Sequence, residues 1–364
     1  MQRREKNPGG DLPICGVTRE GFIPPKQQDA DTSIYNVFYM NDFVFNPARM
    51  ELNSIVFNDK YDVAICSSLY EIFYVSRPDL ILPAYLGLWV KRDVFTRYCE
   101  FLGSGSAREY CRVANISEME IEFPSLDEQQ KIVEQNRAIT NRIDILKKIN
   151  DNLVDSLKAI YQDKFKNRNY SMLPMKNLCS KIGSGATPKG GRESYHDTGV
   201  SLIRSTNVFD YGFSYPALAH IDDDQANSLS NVIVNENDIL FNITGVSVTR
   251  CCMVPPDVLP ARVNQHVMIL RPNDGKYMSY YILFTLCSNE NKAKLLGIGQ
   301  SGSTREAINK QEMEAFQIPV PEFGEIVAFG KIAESFYEQI HKNNREMFEL
   351  FDLREVILSL LSSR

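Results

Sequence analysis

The chain has 364 residues, 43% of them hydrophobic and 24% charged, which is enough apolar material for two or three folded domains. This composition excludes a disordered, collagen-like or disulfide-stapled chain. The formal net charge of −6 argues, at first sight, against a nucleic-acid-binding protein, because such proteins usually carry a basic excess. There is no run of about 18 apolar residues that would predict a membrane span, and the scattered cysteines form no C-x-x-C pair. We therefore predict a cytoplasmic protein with reduced thiols.

Residues 1–124 are predicted to form a mixed but strand-rich domain. Short β-branched or aromatic runs at 54–57, 63–66 and 72–75 are separated by short segments that include Asn, Asp and Ser. Outside these runs lie Arg, Asn and Ser side chains of the kind that can hydrogen-bond base edges, although any one of them could instead be a solvated loop residue. The candidates for DNA contact in this domain are Asn46, Arg49, Asn53, Ser104, Ser106 and Arg108.

Residues 125–165 are predicted to form one long helix. From 126 to 165 there is no Gly or Pro, and apolar residues recur with heptad spacing. One core position is occupied by Ile132, Ile139, Leu146, Leu153 and Ile160, and the other by Asn136, Ile143, Asn150 and Leu157. At 1.5 Å per residue, such a helix would be about 60 Å long, which is unusual inside a compact domain.

Residues 166–321 are predicted to form a second strand-rich domain, with apolar runs at 200–204, 238–242 and 267–270. No regular alternation of strands and helices is visible, which argues against a doubly wound parallel sheet. Its candidates for DNA contact are Lys189, Arg192, Arg204, Asn207, Asn242, Thr244, Asn264, Gln265, Gln300, Ser301, Ser303 and Arg305. His266 could be either structural or a base contact.

The glycine-rich segment 183–191 is not a nucleotide-binding loop. A P-loop requires Lys followed by Ser or Thr after its last Gly, and here Gly191 is followed by Arg192. Two interpretations of this segment remain. It is either a surface turn or a loop that approaches DNA with Lys189 and Arg192.

Residues 322–364 are predicted to form a second long helix with a broad apolar stripe. Its predicted packing residues are Phe329, Phe336, Ile340, Met347, Phe351 and Ile357. Either long helix alone would expose its stripe, so we expect the two to pack on each other or on helices of a partner. Residues 322–361 carry eight acidic and four basic side chains, so much of the acidity of the chain lies on this helix.

The two halves of the chain are related by an internal repeat. The segment 104–108 aligns with 301–305 at a shift of 197 residues, and the same shift places Ile132 on Phe329 and Leu153 on Leu350. The organisation is therefore globular–helix–globular–helix. At this shift residues 166–197 have no counterpart in the first half, so either the first domain is of a different type or this chain begins inside it.

No catalytic or metal-binding motif emerges. The four histidines have no ligand partner at metal spacing, and there is no Gly-x-Ser-x-Gly elbow. The Asp/Asn-Pro-Pro-aromatic motif of amino-methyltransferases is not matched at 254–257, where Pro255-Pro256 is preceded by Val and followed by Asp. The nuclease pattern that begins at Pro78-Asp79 lacks its second acid. We predict a non-catalytic chain that binds no metal and no cofactor of its own.

The segment 123–132, Phe-Pro-Ser-Leu-Asp-Glu-Gln-Gln-Lys-Ile, resembles the Pro-x-Leu-x-Glu-Gln-x-x-Ile start of a helix in the specificity (S) subunits of type I restriction–modification systems. It also reads as a helix start on physical grounds, because Ser125 can cap and the acids favour the positive end. The second copy, 318–326, lacks the Glu-Gln pair. Segments 42–47, 185–188 and 302–310 are similar to the family as well.

This resemblance implies an α+β chain in which two target-recognition domains are separated by two long antiparallel, coiled-coil-like helices with a pseudo-two-fold arrangement. Each domain would read one half of a bipartite double-stranded DNA target. The helix pair would set the spacer and dock two modification (methyltransferase) subunits, which would carry S-adenosylmethionine. Restriction subunits, with translocase and endonuclease activity, would complete the complex.

Two alternatives remain open at the level of the sequence. A helical scaffold that joins protein partners without touching DNA would suit the acidic balance. A DNA enzyme in its own right would require a metal or cofactor site, which the sequence does not reveal.

Overall fold

The computed structural model describes residues 1–25, 31–103, 111–216, 218–300 and 307–360. Contacts divide the chain into two compact units, Met1–Asp144 with Glu349–Arg364, and Ile145–Phe348. Each unit contains one strand-rich domain and a segment of each of two long helices. The α+β fold class is therefore confirmed.

The first strand-rich domain consists of two four-stranded sheets followed by short helices. Its strands are β1 (Gln2–Arg3), β2 (Ile14–Val17), β3 (Phe22–Ile23), β4 (Asn36–Tyr39), β5 (Phe43–Phe45), β6 (Ile55–Phe57), β7 (Val63–Cys66) and β8 (Glu71–Phe73). Its helices are α1 (Pro83–Trp89), α2 (Asp93–Gly103) and α3 (Val113–Ser117), and the long helix α4 (Leu126–Phe165) follows. The sheet orders are β1-β8-β5-β6 and β3-β2-β7-β4.

The second strand-rich domain has the same arrangement with additions. Its strands are β9 (Ser171–Pro174), β10 (Cys179–Ser184), β11 (Val200–Ile203), β12 (Val208–Phe209), β13 (Gly212–Phe213), β14 (Ala219–Ile221), β15 (Ile233–Val234), β16 (Ile239–Asn242), β17 (Cys251–Met253), β18 (Ala261–Val263), β19 (Val267–Pro272) and β20 (Gln317–Val320). Its helices are α5 (Met175–Leu178), α6 (Asp223–Ser228), α7 (Gly275–Leu286), α8 (Asn289–Gln300) and α9 (Lys310–Ala315), and the long helix α10 (Phe323–Leu360) follows.

Strand order confirms the internal repeat. The order β10-β19-β16-β17 repeats β1-β8-β5-β6, and β14-β11-β18-β15 repeats β3-β2-β7-β4. Each second sheet contains one parallel pair at the same place, β2 with β7 and β11 with β18. The shift of 197 residues inferred from the sequence also relates the first residues of α4 and α10.

The expectation that residues 166–197 have no counterpart in the first half is corrected for strand β10. Its place beside β19 is taken in the first domain by β1, which pairs with β8. Because an edge strand contributes mainly backbone hydrogen bonds, a dissimilar sequence can fill this place. Strand β9, which pairs with β20, has no counterpart among the described residues of the first domain.

The central sheet of each domain is buried on both faces. In the second domain, Ile239 and Phe241 join the core formed with the helices, whereas Leu240 between them joins the core formed with the other sheet. In the first domain, Phe43 and Phe45 face the helices and Val44 faces the other sheet. Burial on both faces explains why these strands appear as continuous apolar runs rather than alternating patterns.

A buried aspartate is paired with arginine in both domains. The Asp42 carboxylate accepts two hydrogen bonds from the Arg3 guanidinium, at 2.7 and 3.1 Å. Asp238 accepts two from Arg271, both at 2.7 Å. The arginine comes from β1 in the first domain and from β19 in the second, so different strands neutralise the equivalent charge.

Helix α4 begins as the capping residues predict. The backbone N–H of Glu128 donates to Ser125 Oγ at 3.4 Å, and the N–H of Ser125 donates to the Glu128 carboxylate at 3.2 Å. The buried Gln129 amide donates to the carbonyls of Leu80 and Pro124 and accepts from the N–H of Leu82, all within 3.0 Å. The Glu-Gln pair of the motif therefore has two roles, capping the helix and attaching it to the domain.

The two long helices are antiparallel within the second unit. Tyr161 contacts Phe329, with ring centroids 5.7 Å apart, and the Asn150 amide exchanges hydrogen bonds with Asn343 and Asn344 at 2.7 and 2.8 Å. An asparagine at a heptad core position favours one register, because a shifted register would bury its amide unpaired.

The structure shields all of the packing residues predicted on the long helices. Those that are buried are Ile139, Ile143, Leu146, Leu157, Phe329 and Ile340. Those that are partly buried are Ile132, Leu153, Ile160, Phe336, Met347, Phe351 and Ile357. Tyr337, which the stripe analysis did not include, is also buried and donates to the Tyr211 carbonyl at 3.4 Å.

The amine of Lys91 yields a prediction on pH dependence. Its Nζ donates to the carbonyls of Arg19 and Ile55 at 2.6 and 2.7 Å, and burial, aided by the Arg19 charge, lowers its pKa to about 8. Between pH 8 and about 10.5 the unfolded chain therefore binds one proton more than the folded chain. We expect the unfolding free energy of the wild type, measured against Lys91→Met, to rise by about 2 kcal/mol between pH 7 and pH 10. Urea titrations of both proteins at both pH values measure it, and a difference that does not change with pH would contradict it.

Candidate nucleic-acid interface

Three loops of the second domain meet through a continuous line of polar side chains, which we call the polar row (Thr187, Gln265, His266, Thr244). The Thr187 hydroxyl donates to Gln265 Oε1 at 2.6 Å, and Gln265 Nε2 lies 3.0 Å from His266 Nε2. His266 Nδ1 lies 2.7 Å from the Thr244 hydroxyl. Because the Gln265 amide donates to Nε2, a neutral His266 carries its proton on Nδ1 and donates to Thr244. The Thr244 hydroxyl can then donate to a ligand.

Backbone contacts hold the polar row in place. The N–H of Gly185 donates to the carbonyl of Asn264 at 3.1 Å, and the Asn264 side chain accepts from the N–H of His266 at 3.0 Å. A Cβ on Gly185 would lie 1.7 Å from the Val263 carbonyl oxygen, so only glycine allows this approach. The family-like segment 185–188 therefore docks one loop of the site against another.

The second domain also contains a groove of about 500 Å³, which we call the lysine groove (Lys176, Lys181, Lys310). It lies along strand β10, whose end leads directly into the loop that carries Thr187. Lys310 follows Ala307, which forms a β-bridge with Thr244. Lys181 donates to the Asn231 carbonyl at 2.6 Å, and Lys310 lies 3.5 Å from Glu314, the acidic residue that also lines the groove.

The structure places the other predicted residues of the second domain at separate points. Lys189 is exposed on the loop that carries Thr187, and Gln300 is exposed at the end of α8. Arg204 is partly exposed, and its guanidinium lies 5.1 Å from the centre of the Tyr195 ring. The side chain of Arg192, together with Ser301, Ser303 and Arg305, lies outside the described residues.

Three predicted DNA contacts are corrected, because Asn53, Asn207 and Asn242 are fully buried. The Asn53 amide donates to the Val90 carbonyl at 2.9 Å, and that of Asn207 donates to the Ser214 carbonyl at 2.9 Å. The Asn242 amide donates to the Ser205 carbonyl at 2.9 Å. These amides satisfy buried backbone groups and stabilise the loops. Asn264, only 7% exposed, likewise supports the row rather than facing solvent.

In the first domain the equivalent loop between β5 and β6 has a different surface. Asn46 caps a short 3-10 helix by accepting from the N–H of Ala48 at 3.1 Å, and Arg49 is exposed. The predicted contacts Ser104, Ser106 and Arg108 lie outside the described residues.

Sequence analysis missed the three lysines of the groove and did not single out Thr187. The lysines come from three separate segments, so no local pattern joins them. Thr187 lies within the segment 185–188, whose resemblance to the family could have identified it as a candidate. Among the described residues there is no group of three or more His, Cys, Asp or Glu side chains that could hold a metal ion. Within the same ranges, no helix is both long and apolar enough to cross a membrane.

A repeated two-sheet domain, each copy followed by a helix of about 40 residues, defines a class of proteins with two tandem modules of one fold. The family model described as the type I restriction modification DNA specificity domain matches residues 4–154 and 168–349. The chain therefore belongs to the family of type I restriction–modification specificity subunits, and the resemblance noted at the start of α4 is confirmed.

Individual relatives are distant. The chain is 22% identical over 177 residues to a putative type I restriction enzyme specificity subunit of Methanocaldococcus jannaschii, a match that covers 48% of this chain and only 40% of that protein. The fold is similar to that in a crystal structure of the type I restriction–modification S subunit from M. genitalium, with a TM-score of 0.56 and 14% sequence identity. The match covers 99% of this chain and 93% of that chain. At this identity the similarity shows the fold alone.

Proposed function

We propose that this chain is the DNA-reading subunit of a type I restriction–modification complex, with each strand-rich domain reading one half of a bipartite target. The observation that carries the proposal is that strand β10 lines the lysine groove and leads into the loop that carries Thr187 of the polar row. Gln and Thr side chains can hydrogen-bond base edges, whereas lysines neutralise phosphates without regard to sequence. A domain with both parts suits a duplex that is bound through its backbone and read in a groove.

The long helices would set the distance between half-sites and dock two methyltransferase subunits, which would supply S-adenosylmethionine. Restriction subunits would add translocation and cleavage. Support for a partner surface comes from α10, where Leu353 and Val356 are 48% and 52% exposed on a helix with an acidic excess. Exposed apolar side chains on a charged helix are typical of a protein interface.

The lysine groove leads to a quantitative test. The combined change Lys176→Gln, Lys181→Gln, Lys310→Gln should reduce the slope of log K against log salt by about 2.7, because each phosphate contact contributes about 0.9. Fluorescence anisotropy of the assembled complex with methyltransferase subunits, titrated on its target duplex at several salt concentrations, measures the slope.

The matched control removes three exposed lysines elsewhere in the chain, Lys166, Lys331 and Lys342. It should leave the slope unchanged. Equal slopes for both triple variants would contradict the phosphate role of the groove. If the wild-type complex bound no duplex at all, the scaffold alternative would replace the whole proposal.

A further inference from the structure

Val246 is the most exposed large apolar side chain among the described residues, with a relative exposure of 100%. It stands at the tip of the loop between β16 and β17, two residues beyond Thr244 of the polar row. Single exposed apolar residues are common on protein surfaces, so exposure alone does not indicate a binding role. The anchoring of the loop distinguishes Val246 from such residues.

The loop that presents Val246 is built to hold one shape. The N–H of Val248 donates to the Gly245 carbonyl, and that of Thr249 donates to the Asn242 carbonyl, both at 2.9 Å. Val248 and Thr249 are buried, and Thr249 adopts a left-handed φ of 71°, which is costly for a β-branched residue. A strained, anchored loop with an unpacked valine at its tip indicates that the valine contacts something other than its own fold.

The chemistry of the loop narrows the choice of partner. Residues 243–249 carry no charged side chain, so the tip cannot neutralise a phosphate. The only apolar group that a base pair presents in the major groove is the C5-methyl of thymine. The neighbouring Thr244, Gln265 and His266 supply the hydrogen-bonding groups that would read adjacent base edges.

We propose that Val246 is a specificity-determining residue that contacts the C5-methyl group of a thymine in the half-site read by the second domain. This inference rests on the proposed function, because it requires that domain to enter a DNA groove. The half-site should therefore contain at least one required T·A pair.

The test combines substitutions of Val246 with removal of a single methyl group from the DNA. Methylome sequencing of cells that carry the complete system first defines the target. Duplexes are then made in which each thymine of the half-site is replaced, one at a time, by deoxyuridine, which lacks only the methyl group. Affinities are measured with the assembled methyltransferase complex of wild type, Val246→Ala and Val246→Thr.

At one position, deoxyuridine should weaken wild-type binding about fourfold, in line with the loss of one buried methyl group. Val246→Ala should weaken binding to the thymine duplex by about four- to fifteenfold and should show no further loss with deoxyuridine at that position. Val246→Thr, which keeps one methyl group, should lie between. Urea midpoints should be unchanged, since the side chain packs on none of the described residues.

Two outcomes would overturn the inference while leaving the proposed function intact. One is a half-site without a required T·A pair, and the other is sequence-specific binding in which Val246→Ala and deoxyuridine weaken binding independently at every position. Absence of any sequence-specific binding by the wild-type complex would instead overturn the proposed function itself.

Discussion

Arg271→Ala is expected to lower the unfolding free energy of the second domain by about 3–5 kcal/mol, because it leaves a buried carboxylate without its counter-charge. The side chain of Asp238 is fully buried, and Arg271 donates to both of its oxygens. Arg271 also donates to the Ile233 carbonyl at 3.0 Å, which would lose that partner. Within the described part of the chain, only the N–H of Asn235, at 2.7 Å, would still donate to the carboxylate.

Urea titration of the complete chain, followed by circular dichroism, measures this effect. The matched control is Arg168→Ala, since Arg168 pairs with Glu325 across 3.1 Å but both side chains are substantially exposed. Such a surface pair should contribute no more than about 1 kcal/mol. Adding Asp238→Asn to Arg271→Ala should recover part of the loss, because it removes the unpaired charge. Equal shifts for Arg271→Ala and Arg168→Ala would show that burial of the aspartate does not matter.

Gly185→Ala is expected to lower the preference of the complex for its target, over a duplex whose second half-site is scrambled, by about 10- to 100-fold. This range corresponds to the roughly 1–3 kcal/mol that a base contact contributes. A Cβ at this position would overlap the Val263 carbonyl at 1.7 Å, so the loop that carries Thr187 must move away from Gln265. The lost contact would break the polar row at its first member.

Gly183→Ala provides the control, because Gly183 lies two residues earlier, on strand β10, and a Cβ there meets nothing within 4 Å. The measurement compares the affinity of the assembled complex for its target with that for a duplex whose second half-site is scrambled. Gly183→Ala should keep the wild-type ratio. If both variants kept it, the 185–188 loop would have no part in reading DNA.

Much of the architecture was predictable because it depends on local patterns and on the repeat. The absence of Gly and Pro and the heptad spacing predicted a helix over 126–165, and α4 occupies those residues. The second helix was predicted over 322–364, and α10 spans Phe323–Leu360, with 361–364 outside the described residues. Helix periodicity is visible in a single segment, since residues three and four apart share a face.

The site was predictable only in part. Thr244 and Gln265 were candidates and belong to the polar row, but their neighbour Asn242 was chosen on the same grounds and is buried. Residue type cannot separate these cases, because an amide suits a base edge and a buried carbonyl equally well. Burial depends on which distant segments cover the residue, as with Ser205 over Asn242.

The sequence by itself determined the number of modules, their repeat and the long helices, because these follow from periodicities of a few residues and from one similarity between halves. Only the tertiary structure decided that β1 replaces β10, that the lysine groove exists and that Asn53, Asn207 and Asn242 are structural. Strand pairing and grooves bring together residues that are distant along the chain, such as Ser171 with Val320 and Lys176 with Lys310. Such contacts depend on backbone hydrogen bonds and packing that carry no fixed spacing along the chain.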